Sequence, residues 1–339
     1  MTDYKKKAEI FVQRLLDEGA SKNCDAESEV FERQNELPQF YDEKLFKMGQ
    51  AFYHKNIFAF TGAKLLGLMT VLSIPTIVKI LIHTGMSGSD FSAYKRYVAT
   101  VIHMTIWYDD DFKPGSQLWK SVRNVRNLHN FASNRCCKAG IHGISQKDMA
   151  LTQFGFVGYQ LVRGHFLGVQ TASDSEWQAY LHLWRVIGYI LGIEDRFNIC
   201  SGTVEETKAI CNELIHKVFL PQVRRKDPEF INMSRHLING LWAFQPMLNF
   251  NVSYCSLLMV LENNLNIIHN KQEEYKKLTW LETFMLFFTA FVFKSLKWAP
   301  FRWYHNQTRY RDMWLIKNFP FLAYYQFGYK HSIVNIFSE

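Results

Sequence analysis

The stretch SVRNVRNLHNFASNR, Ser121 to Arg135, places a histidine inside a run of arginines and apolar residues. A helix advances about 100° per residue at 3.6 residues per turn. On that wheel Leu118, Val122, Val125 and His129 fall within about 60° of one another, which predicts an amphipathic helix with His129 in the middle of its buried stripe. Arg123 and Arg126 flank the stripe on one side and Leu128 on the other. A buried imidazole needs partners for its ring nitrogens or it costs free energy. Such a histidine is more often a satisfied core residue than a ligand, yet neutral imidazole is also the commonest metal-binding side chain. The stretch by itself leaves both readings open.

A second stretch, YKRYVATVIHMTIWY from Tyr94 to Tyr108, sharpens the question. Arg96, Thr100, His103 and Trp107 recur at i, i+4, i+7 and i+11 and share one helix face. A charge and a hydroxyl on the inward side of an apolar helix suit a pocket wall that holds an oxygen species or a carboxylate. The competing reading is an arginine that snorkels and a threonine bonded back to its own helix.

Outward from these two segments the pattern is helical. Apolar residues recur at helical spacing from Tyr41 onward, and strand-like alternation is sparse. Breaks fall at HTGMSGSD (His83–Asp90), DDDFKPGSQ (Asp109–Gln117), KAGIHGISQ (Lys138–Gln146), GVQTASDSE (Gly168–Glu176), DRFNICSGT (Asp195–Thr203) and RRKDPE (Arg224–Glu229). Each carries turn chemistry. The expected fold is therefore all-α. Residues 1–40 read as an N-terminal extension, 41–265 as the main domain and 266–339 as a C-terminal helical tail. The Lys/Glu-rich NKQEEYKK (Asn270–Lys277) separates the last two.

Composition narrows the class. The chain has 339 residues, 48% of them hydrophobic and 16% aromatic, enough for a large core. Its net charge of +8 is spread over short runs rather than gathered in one block. With no zinc-finger, RNP-type or helix-turn-helix signature, nucleic acid is not an expected partner. The six cysteines contain no CxxC and suit free thiols in a reducing compartment. The N-terminus lacks the continuous apolar core of a cleavable signal peptide, so an intracellular location is expected, with association to the endoplasmic reticulum or another membrane left open. The uncharged stretch Leu65–Val78 is too short to span a bilayer, is interrupted by Pro75, and reads as a buried core helix. In the tail, FMLFFTAFVF (Phe284–Phe293) precedes KSLKWAPFRWYHNQTRYR, a Lys/Arg/Trp/Tyr mixture that matches a bilayer interface or a docked helix.

Three blocks, in order, resemble the DUF2236 family of latex-clearing rubber oxygenases and the ER-bound oxygenase MpaB. The first is Thr84-Gly85 with the spaced pair Arg96 and Thr100 in RYVAT. The second is VRNVRNLHNFASNR. The third is DMALTQFGFVGYQLV followed by YLHLWRVIGYILGIEDRFN. The blocks run over roughly Thr84 to Asn198. The resemblance implies a globin-like multi-helix domain around a b-type haem. It places His129 at the iron as the proximal metal ligand and Arg96 and Thr100 on the distal, catalytic side. Two departures stand out: Ala99 replaces the lysine that precedes this threonine in the rubber enzymes, and Leu65–Ile82 has no acidic residue.

The implied activity is an oxygenase acting with O2 on a lipophilic, isoprenoid or unsaturated substrate, which also brings a membrane surface into consideration as a partner. The cofactor carries such chemistry while the protein sets ligand, pocket and access. Arg126 and Arg185 are assigned as cofactor-binding residues, Arg185 on charge alone as a propionate partner. Gly188 and Gly192 read as helix-packing positions and Asp195 as a salt-bridge residue. His142, His165 and His182 read as structural. His103 is the rival ligand, since it shares the face of Arg96 and Thr100. The alternative function is a non-catalytic haem or lipid carrier on the same scaffold.

Overall fold

The computed structural model describes residues 2–24, 36–171, 173–264 and 273–337. Residues 25–35 of the N-terminal extension, and 270–272 at the start of the polar separator, lie outside the described residues. About 75% of the chain is helical. Among the described residues the one departure toward β structure is an isolated bridge between Asn23 and Ser145. The fold is all-α, as the helical spacing implies.

The helices run in chain order as α1 (Thr2–Ser21), α2 (Glu43–Lys55), α3 (Ile57–Val71), α4 (Pro75–Thr84), α5 (Asp90–Asp109), α6 (Gln117–Lys138), α7 (Gln146–Arg163), α8 (Asp174–Ile190) and α9 (Val204–Leu214). A π-helical turn, Ile215–Phe219, carries α9 into α10 (Leu220–Arg225). The rest are α11 (Pro228–Leu241), α12 (Phe250–Glu262), α13 (Glu273–Lys276), α14 (Trp280–Ser295), α15 (Ala299–Asn318), α16 (Phe321–Phe327) and α17 (Tyr329–Ser332). Start signals explain several boundaries. Ser89, Ser145, Thr203 and Thr279 each form a reciprocal capping box with the side chain three residues on. Pro75 opens α4 at a position where its missing N–H costs nothing, and α3 and α4 meet there at 90°. The apolar stretch Leu65–Val78 is thus two bent core helices.

The main pairings are α2 with α8, α3 with α7, α5 with α11 and α1 with α9. Ala8, Val12 and Leu15 of α1 join the same core as Phe60, Phe154, Tyr180 and Phe197. Two crossings depend on bare backbone. A Cβ on Gly67 would fall inside the envelope of the Gly155 carbonyl, where α3 crosses α7. A Cβ on Gly240 would lie 2.7 Å from the Tyr94 nitrogen, where α11 crosses α5. The second contact seats α5, the helix that carries Arg96, Thr100 and His103.

The tail packs partly on this body. Leu286 of α14 is buried against Val252, Cys255 and Met259 of α12. Ile316 of α15 and Ala323 of α16 are buried with Tyr94, Val98 and Ile102 of α5. Arg309 and Asp312 form a buried ion pair at 3.0 Å. His54 adds a polar clamp: its Nδ1 lies 2.9 Å from the Tyr310 hydroxyl of α15, and its Nε2 lies 3.1 Å from both Asp109 Oδ1 and the Tyr108 carbonyl of α5. The hydrogen bond to Asp109 raises the pKa of His54 above its ordinary value, against the opposing effect of burial.

The fold therefore favours the protonated His54. Its contribution to stability is complete below the ordinary histidine pKa of about 6.5 and fades as the pH rises through the raised value. Unfolding of wild type and His54→Gln should differ more at about pH 5, below the ordinary value, than at about pH 9, well above it. Equilibrium denaturation at the two pH values checks this, and a gap that widens toward alkaline pH contradicts it.

Candidate functional site

α5 and α6 pack side by side and bring the two stretches of the sequence together. Ser116 caps α6 by accepting from the Trp119 N–H, and Asp110 Oδ2 accepts from the Leu118 N–H. Gln50 of α2 donates to the carbonyls of Trp107 and Asp110 at 3.1 and 2.7 Å, which anchors the end of α5. Leu118 and Val122 are fully buried, as the helical wheel places them.

His129 is partly buried, and its Nδ1 is sealed from solvent with no hydrogen-bond partner among the described residues. Its pKa is pushed down to about 4, first by burial, then by the Arg96 guanidinium and by His103. Arg96 and His103 of α5 therefore lie close enough to act on it. The ring is neutral at physiological pH, with a lone pair free. Leu128 and Phe131, which flank it along α6, are exposed.

Arg96 is half-buried. Its Nη1 donates to Ser87 Oγ at 2.9 Å, and its guanidinium lies 5.2 Å from the centre of the Tyr97 ring. Thr100 donates its hydroxyl proton to the Arg96 carbonyl at 3.0 Å. That back-bond leaves the Thr100 oxygen as an acceptor. Arg126 is buried and its Nη1 donates to the Ile190 carbonyl at 2.8 Å, tying α6 to the end of α8; burial lowers its pKa. Arg185 is engaged elsewhere. It grips Asp195 bidentately at 2.9 and 2.6 Å and stacks on Phe40 at 3.9 Å. Its contacts do not run to Arg96, Thr100 or His129. The structure thus gathers Arg96, His103 and His129, keeps Arg126 on the same helix as His129, and holds Arg185 in a separate ion pair.

Three further histidines have local partners. His182 Nε2 accepts from the Asp42 N–H at 3.0 Å, His142 Nδ1 lies 3.1 Å from the Gly143 carbonyl, and the His165 ring packs on Phe166. Among the described residues no three His, Cys, Asp or Glu side chains gather as a metal site. An iron at His129 would need a carrier that supplies most of its own ligands, which a haem macrocycle does. The orphaned buried Nδ1, the neutral ring and the adjacent cation fit such a group.

Sequence reading overlooked Ser121, the residue that holds His103. Ser121 Oγ lies 2.7 Å from His103 Nδ1 and accepts from Trp107 Nε1 at 2.8 Å. One signal was available: Ser121, Val125 and His129 stand at i, i+4 and i+8. The C-terminal strap gave no signal, because it acts through its backbone. Asn124 donates to the Ile336 carbonyl at 2.8 Å, Tyr94 to Ser332 at 2.6 Å and Lys95 to Ile333 at 2.9 Å. Phe337 then meets the His103 ring edge-on, 6.3 Å between centroids.

The seam places a histidine nitrogen without a hydrogen-bond partner near an arginine in an all-α fold, and the comparisons give the family. Residues 51–259 match the family described as "ER-bound oxygenase mpaB/B'/Rubber oxygenase, catalytic domain", and the chain belongs to that family. The fold is similar to the solved structure of latex clearing protein LCP in the closed state, with a TM-score of 0.57 and 17% identity over 83% of this chain and 77% of that one. No curated protein matches the sequence.

Ser121→Ala strips a partner from two buried nitrogens at once. A cost of about 1–3 kcal/mol is expected for each buried group left unpaired. The denaturant midpoint should fall with an unchanged slope. A midpoint equal to wild type would mean that both rings find other partners.

Proposed function

We propose that this protein is a haem-dependent oxidoreductase that acts with O2 on a lipophilic, isoprenoid or unsaturated substrate. The observation that carries the reading is the sealed, unpartnered Nδ1 of His129 in a ring that Arg96 and burial keep neutral. A b-type haem would be held through His129, with Arg126 beside it on α6. Bound there, it supplies an iron centre able to activate O2, which closed-shell alkenes otherwise resist.

The protein's own residues do the rest. His129 offers its lone pair without first losing a proton. Arg96, fixed by Ser87, holds a positive charge at the site and stabilises negative charge that develops there. Thr100 presents an acceptor oxygen, since its proton is committed to the Arg96 carbonyl. Arg185 spends its Nε and Nη2 donors on Asp195, which weakens the case for it as a cofactor residue. A second reading, a non-catalytic haem or lipid carrier, draws support from Ala99, where rubber-type enzymes have a lysine.

A bilayer surface is the partner that suits a lipophilic substrate, and the tail supports it. No single helix among the described residues is long and apolar enough to cross a membrane. α14 and α15 meet at 113° and carry an exposed apolar face. Trp280, Phe284, Phe287, Phe288 and Phe291 lie at i, i+4, i+7, i+8 and i+11, with Trp280 82% and Phe284 60% exposed. An apolar patch of this kind marks an interaction site. Between 279 and 337 the chain has seven basic and two acidic residues, so the tail holds much of the net charge of +8. Exposed aromatics together with excess Lys and Arg suit an anionic interface.

His129→Ala should abolish the Soret band of the haem-supplied protein while helical content stays near wild type. A full Soret band in that variant removes His129 as the ligand. Arg96→Ala should keep the band and lower O2 consumption with a polyunsaturated or terpenoid substrate by roughly 100-fold. Unchanged consumption removes Arg96 from the mechanism, and no consumption by wild type favours the carrier.

Replacing the exposed Trp280, Phe284, Phe288 and Phe291 by serine should release the protein from vesicles containing anionic lipid without lowering its thermal stability. Wild-type binding should weaken as salt is raised. Equal co-sedimentation of wild type and variant contradicts the membrane contact.

A further inference from the structure

His103 is a titratable side chain at the α5–α6 seam to which the proposed function gives no role. It is buried, it acts on His129, and it stands on the same face as Arg96 and Thr100. Its tautomer decides whether it competes for a metal or serves what the metal binds.

Proton counting settles the tautomer. An indole N–H only donates, so the 2.8 Å contact from Trp107 Nε1 makes Ser121 Oγ an acceptor. Ser121 is fully buried, and its other hydrogen-bond neighbour among the described residues is His103 Nδ1 at 2.7 Å. If Nδ1 carried a proton, the serine oxygen would receive two donors and its own O–H would have no acceptor. A doubly protonated ring meets the same objection. Only an unprotonated Nδ1 lets Trp107 donate to Ser121 and Ser121 donate to His103. The penalty for a buried unpaired hydroxyl favours that arrangement by roughly tenfold or more. Burial acts in the same direction on charge, pushing the His103 pKa down to about 4.

We propose that the relay from Trp107 through Ser121 locks His103 as a neutral ring with its proton on Nε2, so that it would act as a hydrogen-bond donor to a small ligand held at the haem site and not as a second iron ligand. The lock stands on hydrogen bonding within the chain; the donor role rests on the haem reading of the site. An Nε2 that carries a proton has no lone pair to give a metal, so His103 would not ligate an iron held by His129. No described residue hydrogen-bonds Nε2, so its N–H is free for a ligand. The site then has two donors of different kind on one helix, the charged Arg96 and the neutral His103. A fixed N–H dipole aimed at developing negative charge needs no reorganisation when that charge appears. Phe337, edge-on to the ring, covers one side of it.

Two measurements on the full-length chain test this. The first uses protein labelled with nitrogen-15 histidine and prepared without haem. Long-range proton–nitrogen correlations should show the His103 ring, identified by its loss in His103→Gln, with the proton on Nε2. In Ser121→Ala the two tautomers should become mixed. A wild-type ring protonated at Nδ1, or at both nitrogens, overturns the lock. The second uses the haem-supplied, reduced protein with carbon monoxide as the probe. The C–O stretch should move to higher frequency in His103→Leu, which loses the donor, and return toward wild type in His103→Gln, which keeps an N–H. An unmoved stretch in His103→Leu overturns the donor role, as does a wild-type iron already ligated by His103 and closed to carbon monoxide. Failure of the protein to take up haem overturns the functional reading and the donor role together, whereas the first measurement judges the lock alone.

Discussion

The seam between α5 and α6 is governed by one constraint: polar nitrogens taken out of water must find a partner. Ser121 meets that demand for two rings at once, since one small hydroxyl can accept from an indole and donate to an imidazole. It also locks the two helices together at the level of His103. Nδ1 of His129 is buried without a hydrogen-bond partner among the described residues, as are Tyr97 Oη and Asn130 Oδ1. The fold satisfies His103, Trp107 and the Leu118 N–H but not His129 Nδ1, and the proposed haem site rests on that difference.

The remaining architecture keeps that seam in register. α5 is pressed onto α11 at Gly240, where a side chain would strike the Tyr94 backbone. It is anchored at its far end by Gln50, and it is strapped by the last residues of the chain through Tyr94, Lys95 and, from α6, Asn124. Arg96 is held by Ser87, and Thr100 by its own helix.

The tail has two faces with opposite requirements. One contributes Leu286, Ile316, Ala323 and the buried Arg309–Asp312 pair to the body. The other leaves aromatic side chains in the open along α14 and α15. Burial of both faces would require a second layer, which the described chain does not supply. The tail's end reaches the seam, so the segment that carries the exposed aromatics also touches His103 through Phe337. An apolar outer face and a contact at the site are thereby joined in one covalent stretch of about sixty residues, short enough to lie within a single domain.

The helical periodicity, the breaks and the caps were legible in the sequence because they are local: they follow from spacing along the chain and from what each residue does to its own backbone. The inward stripe of Leu118, Val122 and His129 was legible for the same reason, as was the shared face of Arg96, Thr100 and His103. That the two faces meet was not legible, since no spacing within one helix says which helix it will face. The donor set around His103 depends on Ser121 from one helix and Trp107 from another. Charge alone suggested that Arg185 could hold a cofactor, but the fold delivered Asp195 and Phe40 to it first. The tail's composition announced an amphipathic segment, while only packing showed which aromatics are covered and which stay in water. The sequence by itself determined the helices and the chemistry each one carries, because those are set by short-range geometry. Only the tertiary structure decided which nitrogens share a hydroxyl and which one is left without a partner, because that depends on distances between residues far apart in the chain.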